Sequence, residues 1–325
     1  MASTPPQPRF EDTPDGLLVR APAKVNLNLL VGPRRADGFH DLDSLVVKIS
    51  LVDDLLLSRP DPARHAGETP LSRRDTVALS CEGADCGLAE HNLVYRAARL
   101  LQTHAHEHGW AKPDDDLGVH IHLIKRTPPG KGLGGGSSDA AAALLGLCRF
   151  WNLEHATAAP VDTLLSLAAR LGSDVPLFLT TAACRIQGRG ERFEPFDIGP
   201  LAMVLFLPDL FCATPEVYRA FDQRPTVDTR PLTERQLDAA TLRLPTSRWR
   251  DRLTNDLLLP ARRVCPALGY LHGLLQSHTD VPIHMTGSGS ALFAPCDNTV
   301  EASYILHTLP QDLRNLGIIV QTVSM

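Results

Sequence analysis

Apolar positions recur along this chain first at the period of a strand, then at that of a helix, and the two alternate. Leu17 to Val31 has several alternating apolar positions and the run Leu29 to Val31, which predicts a strand reaching a turn at Gly32-Pro33. Asp37-Gly38 marks a second turn, and Ser44 to Leu57 is again β-rich. Asn92 to His104 sets Leu93, Ala97, Leu100 and Leu101 at helical spacing. Val119 to Leu123 alternates with period two and gives way to Arg126-Thr127-Pro128-Pro129, whose prolines close the strand. Ser138 to Trp151, rich in Ala and Leu, predicts a helix, as does Val161 to Leu171. Met203 to Phe206 reads as a short buried strand, Val281 to Met285 as a strand entering Gly287-Ser288-Gly289, and Ala291 to Ala294 as its outgoing partner. Between these lie a Pro-rich stretch from Met1 to Leu17 that reads as a frayed tail, and a segment from Ser58 to Asp75 that reads as a surface insertion. Lys112 to Asp116 reads as a polar loop, and Asp228 to Arg250 is polar with no steady period. A change of character near residue 198 sets the expected division into domains 1–198 and 199–325.

Composition narrows the partners. With 325 residues, 43% hydrophobic and 21% charged, the chain can bury a large core. Its net charge of -5 opposes a broad footprint for nucleic acid, which needs clustered Lys and Arg, so a small-molecule substrate is expected. No segment approaches the ~18 uninterrupted apolar residues of a membrane span, and the first residues lack the apolar run of a secretory signal. A cytoplasmic protein without membrane contact, monomeric or a weak homodimer, is the expectation. The seven cysteines form an odd set without paired metal-ligand spacing, which predicts free thiols. No resident metal site is predicted: His104-x-His106-x-His108 scatters its rings around a helix end, and Arg248, Arg250 and Arg252 read as a solvated face.

Gly130-Lys131-Gly132-Leu133-Gly134-Gly135-Gly136-Ser137-Ser138 is the most informative stretch, mostly glycine and set between a strand and a helix. Glycine lets the backbone come within hydrogen-bonding distance of a ligand, and the helix start supplies unpaired N–H groups and partial positive charge. Phosphate is the guest this suits. Ser137 and Ser138 are placed to cap the helix, bind a phosphate oxygen or help position Mg²⁺. Gly130-x-Gly132-x-x-Gly135 also satisfies a dinucleotide fingerprint with Glu154 at about the ribose position, but that pattern requires neither the extra glycines nor the Ser-Ser-Asp that follows. The common P-loop needs Ser or Thr after its lysine, and Lys131 precedes Gly132. A flexible linker would not be clamped between strong strand and helix signals.

The form Pro-x-x-x-Gly-Leu-Gly followed by Gly and Ser, here Pro128 to Ser138, resembles the phosphate loop of the GHMP kinases. Four further blocks carry the resemblance across most of the chain: Ala21-Pro-Ala-Lys-Val-Asn-Leu-Asn-Leu29, Arg35-Ala-Asp-Gly-Phe-His-Asp41, Leu171-Gly-Ser-Asp-Val-Pro-Leu-Phe178 and Met285-Thr-Gly-Ser-Gly-Ser-Ala-Leu-Phe293. They point to the branch of the family that phosphorylates a cytidine diphosphate-linked methylerythritol. The resemblance implies an α+β, two-domain GHMP kinase fold, with a ribosomal-protein-S5-like N-terminal domain and a ferredoxin-like C-terminal domain. It implies ATP with Mg²⁺, held along Pro128, Pro129, Gly130, Lys131, Gly132, Leu133, Gly134, Gly135, Gly136, Ser137 and Ser138. It also implies Asp174 as the base and Lys24 as its ammonium partner, with Phe39, His40 and Tyr218 around cytidine and Asn26 holding the substrate.

That chemistry is sound from first principles. An alcohol is a poor nucleophile at neutral pH, so a carboxylate must take its proton as it attacks phosphorus, and a nearby ammonium keeps that carboxylate ionised. Taken alone, Asp174 is also a candidate helix cap and Lys24 a surface lysine. Lys131 departs from the small residue usual at its position and would either touch phosphate or point to solvent. A kinase for homoserine or mevalonate is the near rival, opposed by the Asp-Gly-Phe-His block. A noncatalytic sensor on the same fold is the distant one, opposed by the presence of both Lys24 and Asp174.

Overall fold

The two longest apolar runs become the two longest strands, β2 (Gly16–Arg34) and β3 (His40–Ser58), paired antiparallel. This computed structural model describes residues 9–60, 75–84, 87–112, 114–153, 161–180, 183–224, 228 and 230–323. Gly32-Pro33 does not turn the chain: β2 runs through both, because the register shifts between Val31 and Arg34 and a proline without an N–H is tolerated at such an irregularity. Reversal comes later, where the Arg35 N–H bonds the Phe39 carbonyl at 2.7 Å. The expected tail is also structured in part. Phe10–Thr13 forms β1 against β2, Phe10 opposite Val19, and the Arg149 guanidinium lies 5.5 Å over the Phe10 ring. Residues 1–8, and 61–74 of the expected insertion, lie outside the described residues.

The first sheet adds β4 (Val77–Glu82), β5 (Val119–Ile124), β6 (Ala183–Gly188) and β7 (Arg192–Pro195) in the order β1-β2-β3-β5-β4, with β6 pairing β3 and β7 pairing β6. The second comprises β8 (Ala202–Phe206), β9 (His284–Met285), β10 (Leu292–Cys296) and β11 (Gly317–Gln321) in the order β11-β8-β10-β9. Helices α1 (Leu93–Glu107), α2 (Gly135–Phe150) and α3 (Val161–Leu171) contribute with the first sheet to one apolar cluster containing Leu101, Leu144, Leu167 and Val19. Strand β8 shows how the layers are assembled: Met203 and Leu205 pack with Val25, Val47 and Phe293 in a core shared by both sheets, whereas Ala202, Val204 and Phe206 face the opposite way. That outer face is covered by α4 (Thr214–Asp222), α5 (Leu258–Val264), α6 (Pro266–Gln276) and α7 (Thr299–Thr308), which supply Val217, Ala261, Leu268 and Ile305.

Several local expectations are corrected by side-chain chemistry. Helix α1 is capped by Asn92, whose side chain accepts the Val94 N–H at 2.9 Å, and runs past His104 to Glu107. Helix α2 begins inside the glycine run rather than at Ser138, since tertiary placement overrides the poor helix propensity of glycine. Of Val281 to Met285 only His284–Met285 pairs as strand, because the Gln276 side chain takes up the Ile283 N–H and the Val281 carbonyl. The aperiodic stretch after Asp228 contains short helical turns at Leu232–Arg235 and Ala239–Leu242. Arg250 is not a solvated cation: it pairs with Glu301 at 2.7 Å. His104 and His108 stack on one helix face with ring centroids 3.9 Å apart. Cys148, Cys184, Cys212, Cys265 and Cys296 are free thiols, but Cys81 is disulfide-bonded, contrary to expectation, and Cys86 lies outside the described residues. Among the described residues no helix is long and apolar enough to cross a membrane.

Candidate active site

Strand β2 loses regular register with β3 between Pro22 and Lys24 and again between Asn26 and Asn28. These irregularities bracket the stretch that carries Lys24 and Asn26, and such breaks re-aim side chains. Lys24, Asn26, Phe39, His40, Asp174 and Tyr218 all line one cavity of about 1210 Å³, together with Gly130, Gly132, Gly134 and Ser137 of the glycine loop. Residues from five separate stretches of sequence therefore converge there.

The loop is stitched in place from both sides. Its Leu133 carbonyl accepts the backbone N–H of Lys24 at 2.9 Å, and its Lys131 carbonyl accepts that of Ala291 at 3.2 Å. Gly132 and Gly134 adopt φ of 79° and 67°, and any side chain there would collide, at 2.4 Å with the Thr286 carbonyl and at 2.9 Å with the Phe178 ring. Only glycine satisfies both the conformation and the close approach. Ser138 donates its hydroxyl to the Pro22 carbonyl at 2.7 Å. The Lys131 ammonium neither faces the cavity nor points to solvent: it donates to the Leu210 carbonyl at 2.6 Å.

Lys24 is buried, and its ammonium donates to the Asn26 side-chain oxygen. Burial pushes its pKa down, while the Asp174 carboxylate pulls it up. Asp174 itself is exposed at the start of a tight 3₁₀ turn, Pro176–Leu179, and does not cap it. The Tyr218 hydroxyl is pushed up to about 12, first by burial and then by the Asp174 charge. Both effects put the carboxylate within electrostatic reach of the lysine and of the aromatic wall. Asn26 is fully engaged, its amide donating to Ser44 at 2.7 Å and its backbone N–H to the Thr286 hydroxyl at 2.9 Å.

At the aromatic end, His40 lies 5.5 Å from Tyr218, centroid to centroid, and edge-on to Phe221 at 5.3 Å. Its Nδ1 bonds the Gly32 carbonyl at 2.9 Å and its Nε2 lies 3.2 Å from Asp222, so both ring nitrogens are occupied by the protein. Phe39 is 56% exposed, and the Arg189 guanidinium lies 5.3 Å over its ring. A second cavity of about 190 Å³ lies at Pro129 and Gly136, lined also by Asn92, Leu93, Lys125 and Asp139. Beneath it, Lys125 bridges Asp53 at 2.5 Å and Asp139 at 2.7 Å, and Asp53 accepts the backbone N–H groups of Arg126 and Thr127 at the entrance to the loop. Two buried carboxylates share one ammonium, and the less well hydrogen-bonded Asp139 is pushed up to about 7, chiefly by burial. Burial opposes the charge on Lys125, but its two carboxylates prevail and hold its pKa up.

Sequence reasoning missed Asp222, Arg189, Thr286, Lys125, Asp53 and Asp139. Asp222 had a signal, since it follows Tyr218 by four residues on one helix and so shares its face. Nothing in the local sequence marks Arg189.

A glycine-rich loop, a buried lysine and a carboxylate around one cavity, on this pairing of sheets, are the arrangement of a GHMP kinase. The family model for the GHMP kinases N terminal domain matches residues 92–181. A 4-diphosphocytidyl-2-C-methyl-D-erythritol kinase of Salinibacter ruber is 32% identical over 302 residues, covering 90% of this chain and 95% of that protein. One of Nocardioides sp. is 39% identical over 78% of this chain and 79% of its own length. A crystal structure of 4-(cytidine 5'-diphospho)-2C-methyl-D-erythritol kinase, 34% identical, superposes with a TM-score of 0.69 over 94% of this chain and 99% of that one. The chain belongs to the 4-diphosphocytidyl-2-C-methyl-D-erythritol kinase family.

Proposed function

We propose that this enzyme transfers the γ-phosphoryl group of ATP to the 2-hydroxyl of 4-diphosphocytidyl-2-C-methyl-D-erythritol, giving the 2-phosphate and ADP, in non-mevalonate isoprenoid precursor (isopentenyl diphosphate) biosynthesis. The observation that carries this reading is the convergence of Lys24, Asp174, the glycine loop and the Phe39–His40–Tyr218 wall on one cavity. Asp174 takes the hydroxyl proton as the oxygen attacks the γ-phosphorus and the bond to the ADP oxygen breaks. Lys24, fixed by Asn26, offsets negative charge on the transferring group. Phe39 and Tyr218 offer ring faces to cytosine. The nitrogens of His40 are held by Gly32 and Asp222, so it contributes its face as well, unless Asp222 yields to the base. The phosphates lie along the loop from Pro128 to Ser138, and the smaller cavity beside Asn92 and Lys125 suits the purine end of the nucleotide.

The residues present fit Mg²⁺ in one way. The described residues contain no cluster of three His, Cys, Asp or Glu that would cage a metal, and Mg²⁺ in kinases is held by one or two carboxylates plus substrate phosphates. Asp174 and the Ser137 hydroxyl, both facing the cavity, are the donors this chain offers. What the ion supplies is charge neutralisation on the triphosphate.

The same reading divides the chain at residue 198, supported by strands up to Pro195 forming one sheet and those from Ala202 onward another. It places a monomer or weak homodimer in the cytoplasm; Cys148, Cys184, Cys212, Cys265 and Cys296, which form no disulfide, support a reducing compartment, and the disulfide at Cys81 runs against it.

The test is ADP release with Mg-ATP and the cytidyl substrate, run beside homoserine and mevalonate. Turnover with the cytidyl substrate alone is the expected result, abolished in Asp174→Asn and Lys24→Met. Turnover with another alcohol would discard the cytidine pocket.

A further inference from the structure

Lys24 and Lys48 stand directly opposite each other in the β2–β3 ladder, so their side chains leave the same face of the sheet. Both reach the short segment from Asp174 to Thr180. Lys24 serves its beginning, where it is coupled to Asp174, and Lys48 serves its end. The Lys48 side chain is 2% exposed, and its Nζ donates to the Thr180 carbonyl at 2.6 Å and the Phe178 carbonyl at 3.3 Å. Arg9 adds a third bond, to the same Phe178 carbonyl at 3.1 Å. These carbonyls terminate the 3₁₀ turn Pro176–Leu179, which follows Asp174 after a single residue and carries the Phe178 ring that abuts Gly134.

We infer that Lys48 is a positioning residue for phosphoryl transfer: it straps the carbonyl end of this turn to the sheet, so that Asp174 keeps its place beside Lys24 and Phe178 its place behind the phosphate loop. A four-residue turn has little rigidity of its own, and an amino group buried without a carboxylate partner is costly. Burial, reinforced by Arg9 and opposed by Cys184, pushes Lys48 down to about 7, so its charge is poorly supported. A hydrocarbon side chain would fill the same space at less cost. What Lys48 has and a methionine lacks is donors for the two carbonyls, and the neutral amine also provides them.

The inference rests on Asp174 as the base, so Asp174→Asn, Lys48→Met and Lys48→Gln belong in one steady-state assay with Mg-ATP and the cytidyl substrate. Calorimetric binding and melting temperature are measured on each variant. Lys48→Met is expected to bind both substrates within about twofold of wild type while kcat falls about ten- to hundredfold, the scale of an ångström's misplacement. Its melting temperature should change little, because removing a poorly supported buried amine offsets the bonds lost to the two carbonyls. Lys48→Gln, which keeps an amide donor, should recover most of the loss. An inactive Asp174→Asn beside a fully active Lys48→Met would overturn the strap alone. So would a Lys48→Met that loses binding, stability and turnover together with Lys48→Gln, which is the pattern of a merely structural residue. Wild-type turnover in Asp174→Asn would remove the base assignment and the strap with it.

Discussion

The Thr286 hydroxyl accepts the backbone N–H of Asn26 at 2.9 Å, a bond between residues 260 apart in the chain. The same oxygen faces the Asn26 side-chain oxygen at 3.5 Å and the Gly132 carbonyl at 3.4 Å, so one fully buried hydroxyl ties β2 to the glycine loop. Thr286→Val keeps the shape and removes the acceptor. Leaving the Asn26 N–H unpaired should cost about 1–3 kcal/mol in urea unfolding. Turnover should fall as well, because Lys24 is oriented through Asn26.

Phe39 is exposed and contributes little to the core, so Phe39→Ala should leave the melting temperature unchanged. Its expected effect is on the cytidyl substrate. A lost stacking face is worth about 1–3 kcal/mol, a rise of about five- to hundredfold in KM for that substrate. The KM for ATP and kcat should not move, which steady-state kinetics with each substrate varied in turn will check.

The two carboxylates on Lys125 should behave differently. Asp53 accepts from Lys125, Arg126 and Thr127, and Asp53→Asn breaks a buried pair, with an expected loss of about 3–5 kcal/mol in thermal or urea unfolding. Asp139 leaves one buried oxygen without a partner, and burial already disfavours its charge, so Asp139→Asn should cost much less at neutral pH. Equal losses in the two variants would contradict this account.

His284 gives stability an acid limb. Its imidazole is pushed down to about 4 from 6.5 by burial, and its Nε2 has no partner. The unfolded chain therefore takes up a proton more readily than the folded one between these two values. Stability should be complete above about 6.5 and decline as pH falls toward 4. Urea midpoints measured across that interval should decline less in His284→Gln than in wild type.

What could be read in advance was whatever the chain writes contiguously. The glycine run, the Ala-Lys-Val-Asn-Leu block and the Asp-Gly-Phe-His block each hold their chemistry within a few residues, and each lines the cavity. Strand β1 was not legible, because Phe10-Glu-Asp-Thr is short and polar and exists as a strand only by pairing with β2. Gly32-Pro33 looked like a turn because the residues that favour turns also suit a break in register. Arg189 and Lys48 were invisible for a different reason: each acts on a partner more than a hundred residues away, and no local pattern encodes that distance.

The glycine loop is clasped by segments that the ribosome makes much later. Lys131 is tied to Leu210, Gly132 presses on Thr286, and Ala291 bonds the Lys131 carbonyl. A nascent chain ending near residue 198 already contains the lysine, the carboxylate and every glycine of the cradle, yet nothing holds the cradle's outer edge. The contacts that fix the loop's outer edge are thus supplied by the part of the chain beyond residue 198, and a prematurely terminated product would carry the lysine, the carboxylate and the glycine run without them.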